Sequence, residues 1–274
     1  MIVKICGITS PETAVACFEL GADMIGLVHF PPSQRHLDLP ALADITHTIA
    51  PLRESGKKIV LLIVDKNAQK VMRILDVCDH QFDFVQFYGE ESEAELLEKH
   101  VRVLRSVRDV ATCVRLLALG ERLQTSDFRH EERLQVSGFR HEERLQVSGF
   151  RLQEEPDDAS PEARSPKPGA RPEARSPKPE ACPEARYVVE LAPGLYPGGN
   201  GLSWDWSNAA PFCRTFPTLL AGGITPNNVA EAIRLARPLG IDVSSGVESL
   251  PGVKDIDKVK RLIENTRNAI INGD

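Results

Sequence analysis

The stretch KIVLLIVDKNAQKVMRILDVCDHQFDFVQF, residues 58–87, decides the fold of this chain. It begins with an apolar run at 58–64, continues with apolar residues at helical spacing over 67–77, and ends in a second apolar run at 82–87. Unbroken apolar runs of this length predict strands that are buried on both faces. The helical pattern between them predicts a crossover that joins two parallel strands.

The same alternation extends over the rest of the chain in both directions. Apolar runs predict eight strands, at 2–6, 24–30, 58–64, 82–87, 101–107, 187–191, 218–223 and 240–246. Helical patterns predict eight helices, the first opened by Ser10 and the others at 41–53, 67–77, 92–100, 109–119, 207–213, 226–237 and 253–270. This strict alternation predicts an α/β fold, a closed (β/α)8 TIM barrel. An open, doubly wound sheet is the alternative, but it usually has fewer strands.

One segment, residues 120–186, departs from the alternation. The unit FRHEERLQVSG occupies 128–138 and recurs at 139–149, and two related proline-rich units of the same length begin at Pro161 and Pro172. The proline-rich half has almost no apolar side chains, so burial cannot offset the entropy lost on ordering it. The sequence therefore predicts a low-complexity insertion with an 11-residue repeat, and we expect it to be disordered.

The predicted domain organisation is a single barrel, made of 1–119 and 187–274, interrupted by this insertion between helix 5 and strand 6. That connection lies on the face opposite the catalytic rim of barrel enzymes, so an insertion there leaves a site intact. We interpret the insertion as a passenger without a function. An interaction tail for another protein is the alternative.

The composition disfavours several classes of protein. The 33 basic and 39 acidic residues give a net charge of −6, which disfavours nucleic acid or a membrane surface as the partner. The chain has no run of about 18 apolar residues, so the sequence predicts no transmembrane helix. The six cysteines are scattered without a CxxC pair, which suggests neither a zinc site nor a disulfide framework. We expect a cytoplasmic protein with reduced thiols.

Loops rich in glycine and serine follow three neighbouring strands of the predicted barrel. They are Pro197–Gly201, Gly222-Gly223 and Ser244–Gly246. Their backbone N–H groups can approach an anion closely, and barrels often bind phosphate with the loops after strands 7 and 8. The three loops together predict a phosphate site, whereas a single such loop would be explained equally well by a tight turn.

Three side chains at the same rim are candidates for chemistry. Cys6 lies two residues after Lys4 on the same strand face, where an ammonium group favours the thiolate; a buried, unreactive cysteine is the alternative. Glu190 interrupts an apolar strand, and the alternative to an acid or base is an ion pair across the barrel. Arg35 follows two prolines in a loop and suits a carboxylate ligand; a solvated surface arginine is the alternative.

These residues together resemble one family, the phosphoribosylanthranilate isomerases, which are (β/α)8 enzymes of tryptophan biosynthesis. The matching stretches are VKICGIT (3–9), GADMIGLVHFPPSQR (21–35), VQFYGEES (85–92), YPGGNGLSWDWS (196–207), LLAGGITPNNVAEAI (219–233) and GIDVSSGVESLPGVKDIDKVKRLI (240–263). They span nearly the whole chain outside the insertion, in the family's order.

The resemblance implies an Amadori rearrangement that converts N-(5-phosphoribosyl)anthranilate to 1-(2-carboxyphenylamino)-1-deoxyribulose 5-phosphate, with no cofactor and no metal. It implies that Cys6 is the general base, that Glu190 stands where the family has its acidic aspartate, and that Arg35 contacts the anthranilate carboxylate. The remaining substrate-binding residues that it implies are Lys4, Gln86, Gly199, Gly201, Gly222, Gly223, Ser245 and Gly246. The expected partner is this small molecule alone, with no nucleic acid and no membrane, and the expected state is a monomer or homodimer.

Three departures from the family pattern bear on the level of activity. Glu190 replaces an aspartate, SQR at 33–35 replaces SPR, and QFYG at 86–89 lacks the histidine of QLHG. Because glutamate keeps the carboxylic acid chemistry, we expect an active isomerase. A catalytically impaired phosphosugar-binding barrel of the same family is the alternative.

Overall fold

The computed structural model describes residues 1–64, 67–109, 111–118, 184–191 and 204–271. Eight parallel strands form a closed barrel in chain order, and the first strand pairs with both the second and the last. These strands are β1 (Ile2–Cys6), β2 (Met24–His29), β3 (Lys58–Val64), β4 (Phe84–Tyr88), β5 (Arg102–Val107), β6 (Tyr187–Val189), β7 (Thr218–Leu220) and β8 (Gly240–Val243).

Helices follow the strands, and several begin at side-chain caps. Ser10, Asp38 and Asn67 each accept a hydrogen bond from a backbone N–H in the first turn of the helix that follows. The helices are α1 (Pro11–Glu19), α2 (Leu39–Ile49), α3 (Ala68–Val77), α4 (Glu91–Leu97), α5 (111–118), α6 (Ala210–Thr215), α7 (Val229–Ala236) and α8 (Ile256–Ile271). This alternation confirms the predicted (β/α)8 barrel.

The core has two parts, which explains why β3 is apolar along its length. Ile59, Leu61 and Ile63 point outward and pack in the large cluster between strands and helices. Val60 and Leu62 point inward, into separate apolar clusters of the barrel interior. Because side chains alternate along a strand, both faces of β3 are buried, as the sequence pattern indicates.

A short antiparallel hairpin after β8 is absent from the sequence prediction. Its strands are β9 (Glu248–Leu250) and β10 (Val253–Lys254), and Gly252 takes a φ of +84° in the turn between them. The hairpin occupies the start of the helix predicted at 253–270, which begins at Ile256 instead. A two-residue turn and short strands leave little periodicity in the sequence to detect.

The predicted insertion lies outside the described residues from 120 to 183, so its predicted disorder stays a prediction. Residues 184–186, which the sequence prediction assigns to the insertion, already belong to the barrel. Ala185 is buried in the apolar cluster of the barrel interior that contains Val60, and the Arg186 N–H donates a hydrogen bond to the Pro217 carbonyl. In the part of the chain that the structure describes, no helix is long and apolar enough to cross a membrane.

Candidate active site

Cys6 is the last residue of β1, and its side chain is buried at the carboxyl end of the barrel. A Cβ atom at Gly26, on the neighbouring β2, would lie 2.6 Å from the Cys6 sulfur, so the glycine makes room for it. Burial raises the pKa of the Cys6 thiol above its ordinary value. The charge of Lys4 lowers that pKa, as the sequence suggests, but the effect of burial is larger.

Lys4 lies inside the barrel, where it is fully buried. Its ammonium donates hydrogen bonds to Gln86 Oε1 at 2.7 Å and to Asp242 Oδ2 at 2.8 Å, and the Gln86 amide donates to the Tyr88 hydroxyl at 2.9 Å. Burial alone would lower the pKa of Lys4, but the charges of Asp242 and Cys6 outweigh it and raise that pKa. Lys4 has no exposed surface and does not line the cavity described below, so its predicted contact with the substrate stays a prediction.

Glu190 follows β6 directly and is 5% exposed. Burial, and secondly the charge of Asp242, raise its pKa to about 7, while Arg108 and Lys4 act in the opposite direction. Among the described residues no salt bridge involves Glu190, so the ion pair across the barrel is not formed there. A carboxyl group with this pKa is protonated in a large fraction of molecules at neutral pH and can donate a proton.

The loops after β7 and β8 pack against each other through their backbones. Gly222 and Gly223 have φ values of +89° and +68°, and a Cβ atom at Gly246 would lie 1.8 Å from the Ile224 carbonyl oxygen. Within the described part of the chain, the N–H groups of Gly222, Gly223, Ser245 and Gly246 donate no hydrogen bond. They are therefore available to an anionic ligand.

Two tryptophans fix the end of β7 from the outside. The Trp204 indole donates to the Ala221 carbonyl at 3.1 Å, and the Trp206 indole donates to the Gly222 carbonyl at 3.0 Å. These bonds attach the loop after β7 to the segment that contains the two tryptophans. The sequence alone does not assign this role to them.

One cavity at the carboxyl ends of the strands brings most of the predicted site together. It is lined by Cys6, Leu62, Gln86, Tyr88, Glu190, residues 221–224 and residues 242–246. The candidate base, the candidate acid and the described glycine and serine residues thus face one space. Gly199 and Gly201 lie outside the described residues, so their predicted contact with phosphate stays a prediction.

Arg35 lies beside this cavity and is largely buried. Its side chain crosses Gly7, where a Cβ atom would lie 2.4 Å from Arg35 Cδ. Arg35 Nε and Nη2 donate to the two carboxylate oxygens of Glu248 at 2.7 and 2.6 Å. The side chain is 13% exposed, which argues against a solvated surface arginine.

Four polar or charged side chains in or beside the cavity were not among the predicted ones: Tyr88, Asp242, Glu248 and Lys254. Asp242 carries the same signal as Glu190, a charged residue within an apolar strand, and its Oδ1 is buried with no hydrogen-bond partner among the described residues. Glu248 and Lys254 lie on the hairpin that the sequence pattern does not reveal. The pairing of Glu248 with Arg35 and with Lys254 depends on tertiary structure.

Comparisons with known proteins agree with this geometry. The sequence profile of the family described as N-(5'phosphoribosyl)anthranilate (PRA) isomerase matches residues 194–265. The chain is 32% identical over 265 residues to the N-(5'-phosphoribosyl)anthranilate isomerase of Desulfatibacillum aliphaticivorans, which covers 96% of this chain and 91% of that protein.

Solved structures show the same fold. The phosphoribosyl anthranilate isomerase of Thermotoga maritima has a TM-score of 0.66 and 25% identity, covering 98% of this chain and 100% of the other. A phosphoribosyl anthranilate isomerase in complex with reduced 1-(o-carboxyphenylamino)-1-deoxyribulose 5-phosphate has a TM-score of 0.63 and 24% identity over 98% and 100% of the two chains. With its closed barrel and 32% identity over nearly its whole length, the chain belongs to the N-(5'-phosphoribosyl)anthranilate isomerase family.

Proposed function

We propose that this chain catalyses the Amadori rearrangement of N-(5-phosphoribosyl)anthranilate to 1-(2-carboxyphenylamino)-1-deoxyribulose 5-phosphate in tryptophan biosynthesis. Cys6 is the general base and Glu190 the general acid. The observation that carries these assignments is that both side chains line one cavity, together with the glycine and serine loops after β7 and β8. A thiol and a carboxyl group across one small cavity suit an isomerisation in which one proton is donated and another removed.

The first step is opening of the ribose ring. Glu190 donates its proton to the ring oxygen, the bond from that oxygen to C1 breaks, and the aryl nitrogen supplies electrons to form a Schiff base. The raised pKa of about 7 keeps the Glu190 proton in place near neutral pH. Glutamate in place of the family's aspartate preserves this chemistry.

The second step moves a proton from carbon. The Cys6 thiolate removes the proton from C2, the electron pair moves toward the nitrogen, and an enolamine forms. The enolamine takes up a proton at C1 and loses the proton of its C2 hydroxyl, which gives the ketone. Buried ammonium groups of Lys4 and Lys254 lower the pKa of Cys6 and so favour the reactive thiolate against the opposing effect of burial.

Residues that bind the substrate surround Cys6 and Glu190. The unpaired backbone N–H groups of Gly222, Gly223, Ser245 and Gly246 support a phosphate site. Gln86 lines the same cavity, and we assign the anthranilate carboxylate to Arg35. A cytoplasmic location, and a monomeric or homodimeric state, are part of the proposal.

Turnover by the purified chain tests the proposal. Phosphoribosylanthranilate is expected to be converted without added metal, and Cys6→Ser and Glu190→Ala are each expected to abolish conversion. Rates like wild type in both variants would refute the assigned roles. Protection against heat by the substrate without product would instead identify an impaired phosphosugar-binding barrel.

Growth provides an independent test in cells. The chain is expected to restore growth of a tryptophan auxotroph that lacks this step, both with and without residues 120–183. Failure of the shortened chain alone would give the insertion a function. Unaltered partner binding after the same deletion would reject the interaction-tail alternative.

A further inference from the structure

A buried cluster joins Arg35, Glu248 and Lys254, and its central residue, Glu248, has no role in the mechanism above. In this Arg–Glu–Lys cluster, Glu248 accepts hydrogen bonds from Arg35 Nε and Nη2. It also accepts one from Lys254 Nζ at 2.7 Å. The Glu248 and Lys254 side chains are 5% and 1% exposed. Burial alone would raise the pKa of Glu248, but the two cations outweigh it and lower that pKa, so the cluster holds one anion between two cations.

The geometry of Arg35 leaves one edge of its guanidinium available. Nε and one Nη2 proton form the edge that binds Glu248. The other edge carries Nη1 and the second Nη2 proton, and it can bind another carboxylate in the same two-point manner. Among the described residues, Nη1 makes no hydrogen bond. An arginine that is fixed along one edge presents its other edge in a defined orientation.

The cluster is also attached to the wall of the cavity. Lys254 Nζ donates to the Ser244 carbonyl at 3.1 Å and to its hydroxyl at 3.3 Å, and Ser244 lines the cavity. On the opposite side, the aliphatic part of Arg35 lies across Gly7, next to Cys6 in the chain. The hairpin of β9 and β10 thus connects Arg35 to the loop after β8.

We propose that Glu248 is a positioning residue, which holds Arg35 with its second edge toward the anthranilate carboxylate. Lys254 keeps Glu248 ionised and so preserves the two-point contact. The charges of Arg35, Glu248 and Lys254 sum to +1. A bound carboxylate brings this sum to zero, so that no buried charge is left uncompensated. The identity of that carboxylate rests on the proposed function. The hairpin thereby favours substrates with a carboxylate on the aryl amine.

Titration calorimetry with reduced 1-(o-carboxyphenylamino)-1-deoxyribulose 5-phosphate, an analogue of the product, tests this role. Glu248→Gln keeps the side-chain size and removes the charge. We expect the affinity to fall at least about tenfold in Glu248→Gln and in Arg35→Ala, and the double variant to bind no more weakly than Arg35→Ala. Glu264→Gln, at an exposed position of α8, is the control and is expected to bind like wild type.

Kinetics separate positioning from a general structural effect. N-(5-phosphoribosyl)aniline lacks the carboxylate, so its kcat/KM is expected to be the same in wild type and Glu248→Gln, within about twofold. For the natural substrate, Glu248→Gln is expected to raise KM more than it lowers kcat. Equal losses with the two substrates would overturn the proposal, as would additive losses in the double variant.

The outcomes distinguish this proposal from the proposed function. If wild type does not bind the analogue, both are rejected. If wild type binds it and Glu248→Gln binds equally well, only the positioning role is rejected. If Glu248→Gln does not fold, Arg35→Lys provides the test instead. Lysine keeps the positive charge but cannot bind a carboxylate at two points. Its affinity is expected to fall at least about tenfold, and wild-type affinity would overturn the proposal.

Discussion

The pH dependence of kcat/KM tests the acid and base directly, because the two pKa values lie in an unusual order. Burial, and then Asp242, raise the pKa of Glu190 to about 7, and burial raises that of Cys6 above its ordinary value of 9.0. The proposed mechanism needs Glu190 protonated and Cys6 ionised. Because burial places the pKa of Cys6 above that of Glu190, only a small fraction of the free enzyme holds this state at any pH.

The expected profile follows from that order. Below pH 7 the thiolate fraction rises and Glu190 stays protonated, so kcat/KM rises about tenfold per pH unit. Above pH 7 the loss of protonated Glu190 cancels the gain in thiolate, and the profile becomes flat. In Glu190→Gln no such cancellation occurs. The break near pH 7 is therefore expected to disappear, while the rate at pH 7 falls by roughly 10²–10⁴-fold.

Initial rates from the fluorescence of the anthranilate group, at substrate concentrations well below KM, give kcat/KM at each pH. The substrate phosphate also ionises, near pH 6, but it does so with both enzymes and so cannot explain a difference between them. A break near pH 7 that persists in Glu190→Gln would refute the assignment of the acid. A wild-type profile that stays level from pH 5 to 7 would refute the raised pKa of Cys6.

Three further predictions concern packing and stability. In Glu190→Gln, the carboxylate whose burial raises the Glu190 pKa from 4.5 to about 7 is absent. Wild type loses stability as the pH rises from about 4.5 to about 7, because the unfolded chain releases this proton before the folded chain does. By urea unfolding, the variant is therefore expected to be more stable than wild type by up to roughly 3 kcal/mol at pH 8 and about equally stable at pH 4.5. Gly26→Ala is expected to displace the Cys6 sulfur and lower kcat/KM by roughly 100-fold, with folding checked by circular dichroism. Gly246→Ala, whose methyl group overlaps the Ile224 carbonyl, is expected to weaken binding of inorganic phosphate at least about tenfold by titration calorimetry, and an unchanged affinity would place phosphate elsewhere.

The barrel could be predicted from sequence because its strands are buried on both faces. β3 shows this best, since the apolar run at 58–64 and the observed strand coincide. At β6 the predicted strand, 187–191, is longer than the observed three residues. The Glu190 N–H still donates to the Val107 carbonyl of β5 at 3.0 Å, but no strand pairing in the described part of the chain includes Glu190.

The sequence predicts the positions of the site residues better than it predicts the net direction of their pKa shifts. Sequence spacing places Lys4 and Cys6 on one strand face and correctly gives the direction of the lysine's effect. It does not reveal how completely the sulfur is buried, and burial decides the net direction of the pKa shift. Nor does it reveal that Asp242, about 240 residues away in the chain, holds the ammonium of Lys4. Both facts depend on closure of the barrel between β1 and β8.

The polar interior near the cavity is costly for stability and useful for the chemistry. Lys4 and Asp242 form a buried ion pair, and such pairs seldom stabilise a fold more than well-packed apolar residues do. The apolar cluster around Val60 and Phe84 lies in a separate part of the interior, where it holds no reacting group. Only the polar part carries charges that set the pKa values of Cys6 and Glu190. Replacing Lys4 with methionine is therefore expected to alter the pH profile, and also to destabilise the fold because Asp242 loses its cation. An unchanged profile in a folded Lys4→Met variant would show that the charge of Lys4 sets neither pKa value.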